Sequence, residues 1–175
     1  MTEKQENILN AALDLFAKEG FKATSTSKVA KLAGVSEGLI FRHFGNKDGL
    51  LEAILQKGEE KVRELFADIV LETDPKAVIR KTFEIGQRMN ENEADAHFWK
   101  LQYKIKWELE LYGEHKVEPL ERALTAAFEK LGYEEPLMEA RILMFTFDGM
   151  TTRMYLQKNF DPTASIDYLK KRYDL

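Results

Sequence analysis

The most constraining stretch of this chain is TSTSKVAKLAGVSEGLIFRHFGNK, Thr24 to Lys47. Ser25 stands where an N-cap accepts from the unpaired amides of a first helical turn, which predicts a short helix from Thr26 to about Ala33. Val29, Ala30 and Ala33 then share one face, while Lys28 and Lys31 point away from it. Gly34 follows where a helix C-terminus favours a residue that tolerates positive φ. Ser36 is placed to cap a second helix, Glu37 to His43 or Phe44. Helix, tight glycine turn and second short helix make a helix-turn-helix unit. Units of this kind lay the N-terminal half of the second helix in the major groove of DNA.

The same residues carry a family resemblance. VAKLAGVSEGLIFRHF, followed by Asn46 and Lys47, resembles the N-terminal signature of the TetR family of bacterial transcriptional regulators, and FAKEGF (Phe16 to Phe21) with ATST after it fits the upstream frame. The likeness covers roughly the first 50 residues. It implies an all-α homodimer that binds a double-stranded DNA operator, usually as a repressor, and releases it when a small-molecule effector enters the C-terminal domain. Carried over by position, it implies backbone contacts from Thr26, Ser36, Gly38, Phe41, His43 and Lys47, and base readout from Glu37, Leu39 and Arg42. Glu37 stands where the family often has Lys or a small polar residue, and phosphate repels it unless it accepts from a cytosine amine. Phe41 stands where Tyr is common, which removes a hydroxyl able to bond a phosphate. Phe44 suits core packing under the second helix, whereas Phe41, three residues earlier, leans toward the DNA backbone.

Net charge is −4, which argues against bulk nucleic-acid binding and makes the distribution matter. Residues 1–47 sum to +2 and the remainder to −6. A mildly positive head on an acidic body suits a protein that touches phosphates with one end. No apolar run reaches the length of a membrane span, the N-terminus lacks the order of a signal peptide, and there are no cysteines. A cytoplasmic location without disulfides is the expectation.

Along the chain, Ile8, Leu9, Ala12 and Phe16 form the stripe of a first helix over about Lys4 to Lys18. A long helix is predicted from Lys47 to about Leu71, with Gly58 marking a bend or a close helix contact. Asp74-Pro75 opens another helix, and Asn90 to Asp95 reads as the clearest loop. Val117 to Leu131 carries one apolar stripe, and Pro136 opens a helix to about Lys158 with two. Met138, Ile142, Phe145, Gly149, Thr152 and Leu156 form one of these, and Ala140, Leu143, Phe147, Met150 and Met154 the other. One faces the core and one a partner chain; sequence does not decide which. Asp161-Pro162 announces a short last helix.

The predicted helix Ala96 to Tyr112 is also apolar on two sides, with Phe98, Leu101, Ile105, Leu109 and Tyr112 on one and Trp99, Tyr103 and Trp107 on the other. The aromatic side either packs as ordinary core or lines a cavity for a mainly apolar small molecule. The candidate wall is Phe83, Met89, Trp99, Tyr103 and Trp107, with Phe147 and Met150 from the last long helix.

Catalytic chemistry finds little support. His97 and His115 are separated by Gly113 and cannot share a metal along one helix; Glu93 and His97 have i, i+4 spacing, but Glu93 falls in the predicted loop and no third ligand is apparent. No phosphate-cradling glycine loop, nucleophile elbow or HExxH occurs. The expected protein is therefore not an enzyme and needs no metal or cofactor. The competing reading is a helical interaction module without DNA activity, against which the stretch Ser36 to Lys47 counts. The expected fold class is all-α with about nine or ten helices: a three-helix helix-turn-helix DNA-binding domain at 1–46, then a helical ligand-binding and dimerisation domain at 47–175.

Overall fold

The computed structural model describes residues 1–111, 114–157 and 159–175, the side chains of Glu114 and His115 excepted. Tyr112, Gly113 and Lys158, and the side chain of His115, all used in the sequence reading, lie outside the described residues. The described chain is all-α: α1 (Glu3–Glu19), α2 (Thr26–Ala33), α3 (Glu37–Phe44), α4 (Lys47–Val70), α5 (Pro75–Met89), α6 (Glu93–Glu108), α7 (Glu114–Lys130), α8 (Pro136–Leu156) and α9 (Thr163–Arg172).

These helices form two compact units. The first comprises Met1–Lys61 and Asn92–Tyr112, so compactness groups α6 with the N-terminal helices. Ile8, Leu9, Ala12 and Phe16 of α1, Val29 and Ala30 of α2, Ile40 of α3, Leu50 and Ile54 of α4, and Leu101 and Ile105 of α6 are all buried. The α1 stripe thus has α2 on one side and α6 on another. Gly58 of α4 is a point of close approach: a Cβ there would lie 3.0 Å from the Gln102 side-chain amide of α6. That amide donates to the carbonyl of Ile54 at 2.6 Å.

The polar run Asn90 to Asp95 is not all loop. Asn92 caps α6 by accepting from the Asp95 amide at 2.9 Å, so the helix starts at Glu93 and takes in the end of the run. Lys61 meets the Asp95 carboxylate at 2.7 Å; that hydrogen bond, then one from Asn92, holds the carboxyl below its usual range. Glu93 and His97 are therefore one turn apart on α6. His97 Nε2 lies 2.8 Å from Asp14 of α1, and no set of three potential metal ligands occurs among the described residues.

The second unit comprises Val62–Glu91 and Gly113–Leu175. Its core joins Ile69, Val78, Ile79, Phe83, Leu120, Leu124, Phe128, Leu143 and Tyr173. Asp74 caps α5 through the Ala77 amide, with Pro75 at the first helical position. α7 begins at Glu114, three residues ahead of the predicted start. On α8 the face carrying Ala140, Leu143 and Met150 is buried. Met138, Ile142 and Phe145 on the opposite face are exposed, Phe145 by 63%.

Candidate nucleic-acid interface

The α2–α3 unit is built as its sequence predicts, with one exception. Ser25 Oγ accepts from the Lys28 amide at 3.2 Å, and Gly34 adopts φ 67°, ψ 33°, in the left-handed region a side chain would resist. The Val35 amide then closes the end of α2 on the Ala30 carbonyl at 3.0 Å. Ser36 departs from expectation: its side chain makes no capping bond, and α3 starts with its first amides unmatched by that hydroxyl. The ends of the two helices are tied differently. Thr26 Oγ1 donates to Glu37 Oε1 at 2.5 Å.

Ile40 is fully buried and anchors α3, which fixes what the helix shows outward. Ser36, Gly38, Phe41, Arg42 and His43 are exposed, while Thr26, Glu37, Leu39 and Lys47 are half-buried. Phe41 exposes 48% of its surface. A side chain at Gly38 would meet nothing within 4 Å, so the backbone is open at that point. His43 is oriented from α1. Gln5 accepts the Thr2 amide through Oε1 at 2.8 Å, which leaves its Nε2 to donate to His43 Nδ1 at 3.3 Å. A neutral ring accepting at Nδ1 carries its proton on Nε2, where it can be donated.

Lys47 has internal partners that the sequence did not reveal. Its ammonium donates to the carbonyls of Phe21, Lys22 and Thr24 at 2.9, 3.3 and 3.1 Å, and lies 4.6 Å from the Phe21 ring centroid. Three carbonyls match the three protons of an ammonium. In this conformation Lys47 holds the α1–α2 loop. Glu108, at the end of α6, holds the same loop by accepting the Phe21 amide at 3.0 Å. Neither contact has a local sequence signal.

The candidate effector residues fall into two groups. In the first unit Trp99 is buried edge-on against Phe98, with centroids 5.3 Å apart, and Tyr103 pairs with Trp107 at 6.4 Å. Trp107, expected on an enclosed aromatic side, is 67% exposed. The buried arc of α6 instead runs Phe98, Leu101, Gln102, Ile105, at helical spacing, with Trp99 beside it. Gln102 is buried, with Oε1 lacking a hydrogen-bond partner. In the second unit Phe83 packs on Phe147 at 5.6 Å and on Tyr173 at 6.4 Å; Met150 is buried and Met89 half-buried.

A Gly34-turned helix pair braced by α1, with Ile40 inward and Arg42 outward, defines a helix-turn-helix protein. Residues 8–54 match the family model of the bacterial regulatory proteins, tetR family. The HTH-type transcriptional regulator YvkB of Bacillus subtilis is 47% identical over 57 residues, 33% of this chain and 30% of its own length. AcrR of Shigella flexneri is 36% identical over 81 residues, 45% of this chain and 38% of its own. The matches thus span about a third of the length of these curated relatives. The fold extends further. A transcriptional regulator from Aquifex aeolicus superposes with a TM-score of 0.68 at 20% identity, covering 98% of both chains. NalD, the secondary repressor of the MexAB-OprM efflux pump in Pseudomonas aeruginosa, gives 0.69 at 20% identity over 97% of this chain and 94% of its own. FadR of Bacillus subtilis, solved with stearoyl-CoA, gives 0.65 at 20% identity over 95% of each.

Proposed function

We propose that this chain is a ligand-responsive transcriptional regulator that represses from a near-palindromic operator and lets go when a small, mainly apolar effector binds. The observation that carries the reading is the outward face of α3, where Arg42 and Phe41 stand exposed beside half-buried Leu39 on a helix anchored by Ile40. Arg42 supplies the fork of donors that pairs with guanine O6 and N7. Ser36, Gly38, Phe41 and His43 are the backbone contacts, with residues 1–46 acting as the DNA-binding part and 47–175 as the responding part. The working form is a homodimer, acting in the cytoplasm. Its contact is the exposed α8 face of Met138, Ile142 and Phe145, an apolar patch on a helix whose other side is already buried.

The candidate effector contacts are two separate groups, Phe83, Met89, Phe147 and Met150 in the second unit and Trp99, Tyr103 and Trp107 in the first, whose aromatic and thioether groups suit an apolar molecule. Coupling requires an effector with unequal affinity for two arrangements of the DNA-contacting helices. Gel shifts against genomic fragments test the reading. The expected result is retardation of a few fragments, loss of that selectivity with Arg42→Ala, and reversal by small molecules extracted from the purified protein. Equal weak retardation of every fragment, unchanged by Arg42→Ala, would contradict it.

A further inference from the structure

The Thr26–Glu37 bond has a consequence for which base is read; the inference rests on the reading of α2–α3 as the DNA-contacting unit. The bond joins the first residue of α2 to the first residue of α3. A carboxylate has two acceptor oxygens and no donor. With Oε1 held by Thr26, Glu37 keeps one unoccupied oxygen in a fixed direction. The hydroxyl is neutral, so the pair retains its full negative charge. A negative acceptor at the start of the recognition helix is repelled by phosphates. It is favourable only where a base edge offers a donor.

In the major groove the exocyclic amines of cytosine and adenine are the available donors. Adenine sets its N7 lone pair beside the amine and suits a side chain that donates as well as accepts. Cytosine presents its amine alone, which suits a single acceptor. We propose that Thr26 and Glu37 together form a cytosine reader, with Glu37 as the specificity-determining residue and Thr26 as its positioning residue. The Thr26 hydroxyl, engaged in this bond, then makes no phosphate contact.

The test selects bound duplexes from a randomised DNA library with the full wild-type chain, Glu37→Gln, Thr26→Val and Thr26→Ser, each checked for folding by circular dichroism. Selected and random duplexes are then titrated by fluorescence anisotropy. Wild type is expected to enrich one cytosine in each half-site, and replacing it by thymine to weaken binding roughly 5- to 150-fold. Glu37→Gln puts an amide donor among the groups facing the base and is expected to lose the cytosine at that position while keeping the rest of the motif. Thr26→Val should reduce discrimination there without weakening random DNA, and Thr26→Ser, which keeps the hydroxyl, should restore it. An unchanged motif with Glu37→Gln overturns the assignment. So does an equal loss on selected and random DNA with Thr26→Val, because the hydroxyl would then serve the phosphates. If the wild type itself enriches no motif, the DNA-binding reading fails and takes the cytosine reader with it.

Discussion

The ammonium of Lys47 donates to the carbonyl of Phe21 at 2.9 Å across 26 residues of sequence, and the same ammonium sits over the Phe21 ring. With Glu108 accepting the amide of Phe21, one loop residue is held by both its peptide groups, from α4 on one side and α6 on the other. The loop between α1 and α2 sets where the helix-turn-helix begins, so the two contacts fix the base of that unit.

Lys47→Met is therefore expected to act through stability. Loss of charge-assisted bonds to three carbonyls corresponds to about 1–3 kcal/mol, and the melting temperature should fall by roughly 3–10 °C. DNA binding weakens on every sequence as the loop loosens, while the slope of log K against log salt stays as in wild type. A slope smaller by about 1 with an unchanged melting temperature would place the ammonium on a phosphate instead.

Gly58→Ala tests the α4–α6 contact. Alanine raises helix propensity by about 1 kcal/mol, yet its Cβ would press on a Gln102 amide that is buried and held by Ile54. Overpacking of this kind costs about 1–3 kcal/mol, so the net effect expected in urea denaturation is a small loss of stability. Pairing it with Gln102→Ala should give a double mutant more stable than the two single effects add up to. Simple additivity would show that the contact is slack.

How far the sequence led depends on the range of the forces involved. The Ser25 cap, the Gly34 stop and Asp74-Pro75 act within a turn, and all were legible. Ser36 satisfied the same local rule, yet its hydroxyl caps nothing. The run Asn90 to Asp95 looked like loop because its residues are polar, but Asn92 and Asp95 start a helix. The internal contacts of Gln102 and Lys47 had no local signal: their partners, Ile54 and Phe21, are 48 and 26 residues away. Both stripes of α8 are apolar, so periodicity could not choose between them; packing against the second unit's core buries the Leu143 side and leaves Phe145 outside. Of the DNA-facing candidates, their positions on α2 and α3 were legible and the Thr26–Glu37 tie was not.

The α8 face makes a sharp contrast with the core. Phe128 is fully buried, and Phe128→Ala should lower stability by about 3–5 kcal/mol. Phe145→Asp, at a position 63% exposed, should shift sedimentation at micromolar protein from dimer to monomer while far-UV dichroism is retained. A wild-type chain that already sediments as a monomer, or a variant that remains a dimer, would remove this face from the account.

The Glu72–Lys81 pair sets an acid dependence. The Lys81 side-chain hydrogen bond, then the Asp74 and Thr73 amides, lower Glu72 from 4.5 to about 2. A depressed carboxylate stabilises the folded state above its unfolded value and loses that contribution as pH falls through its folded one. The loss therefore runs from about 4.5 down to about 2. Glu72→Gln should melt closer to wild type at the bottom of this window than at neutral pH. A difference in melting temperature that stays constant across it would contradict the assignment.

The most direct test of the whole account is a hydroxyl-radical footprint of the full chain on a fragment it retards, with the stoichiometry measured on the same complex. The account predicts two protected patches related by a dyad, their centres roughly 34–36 Å apart or somewhat wider, with an even number of chains bound and the pattern abolished by Phe145→Asp. A single patch bound by one chain, or protection without symmetry, would contradict it.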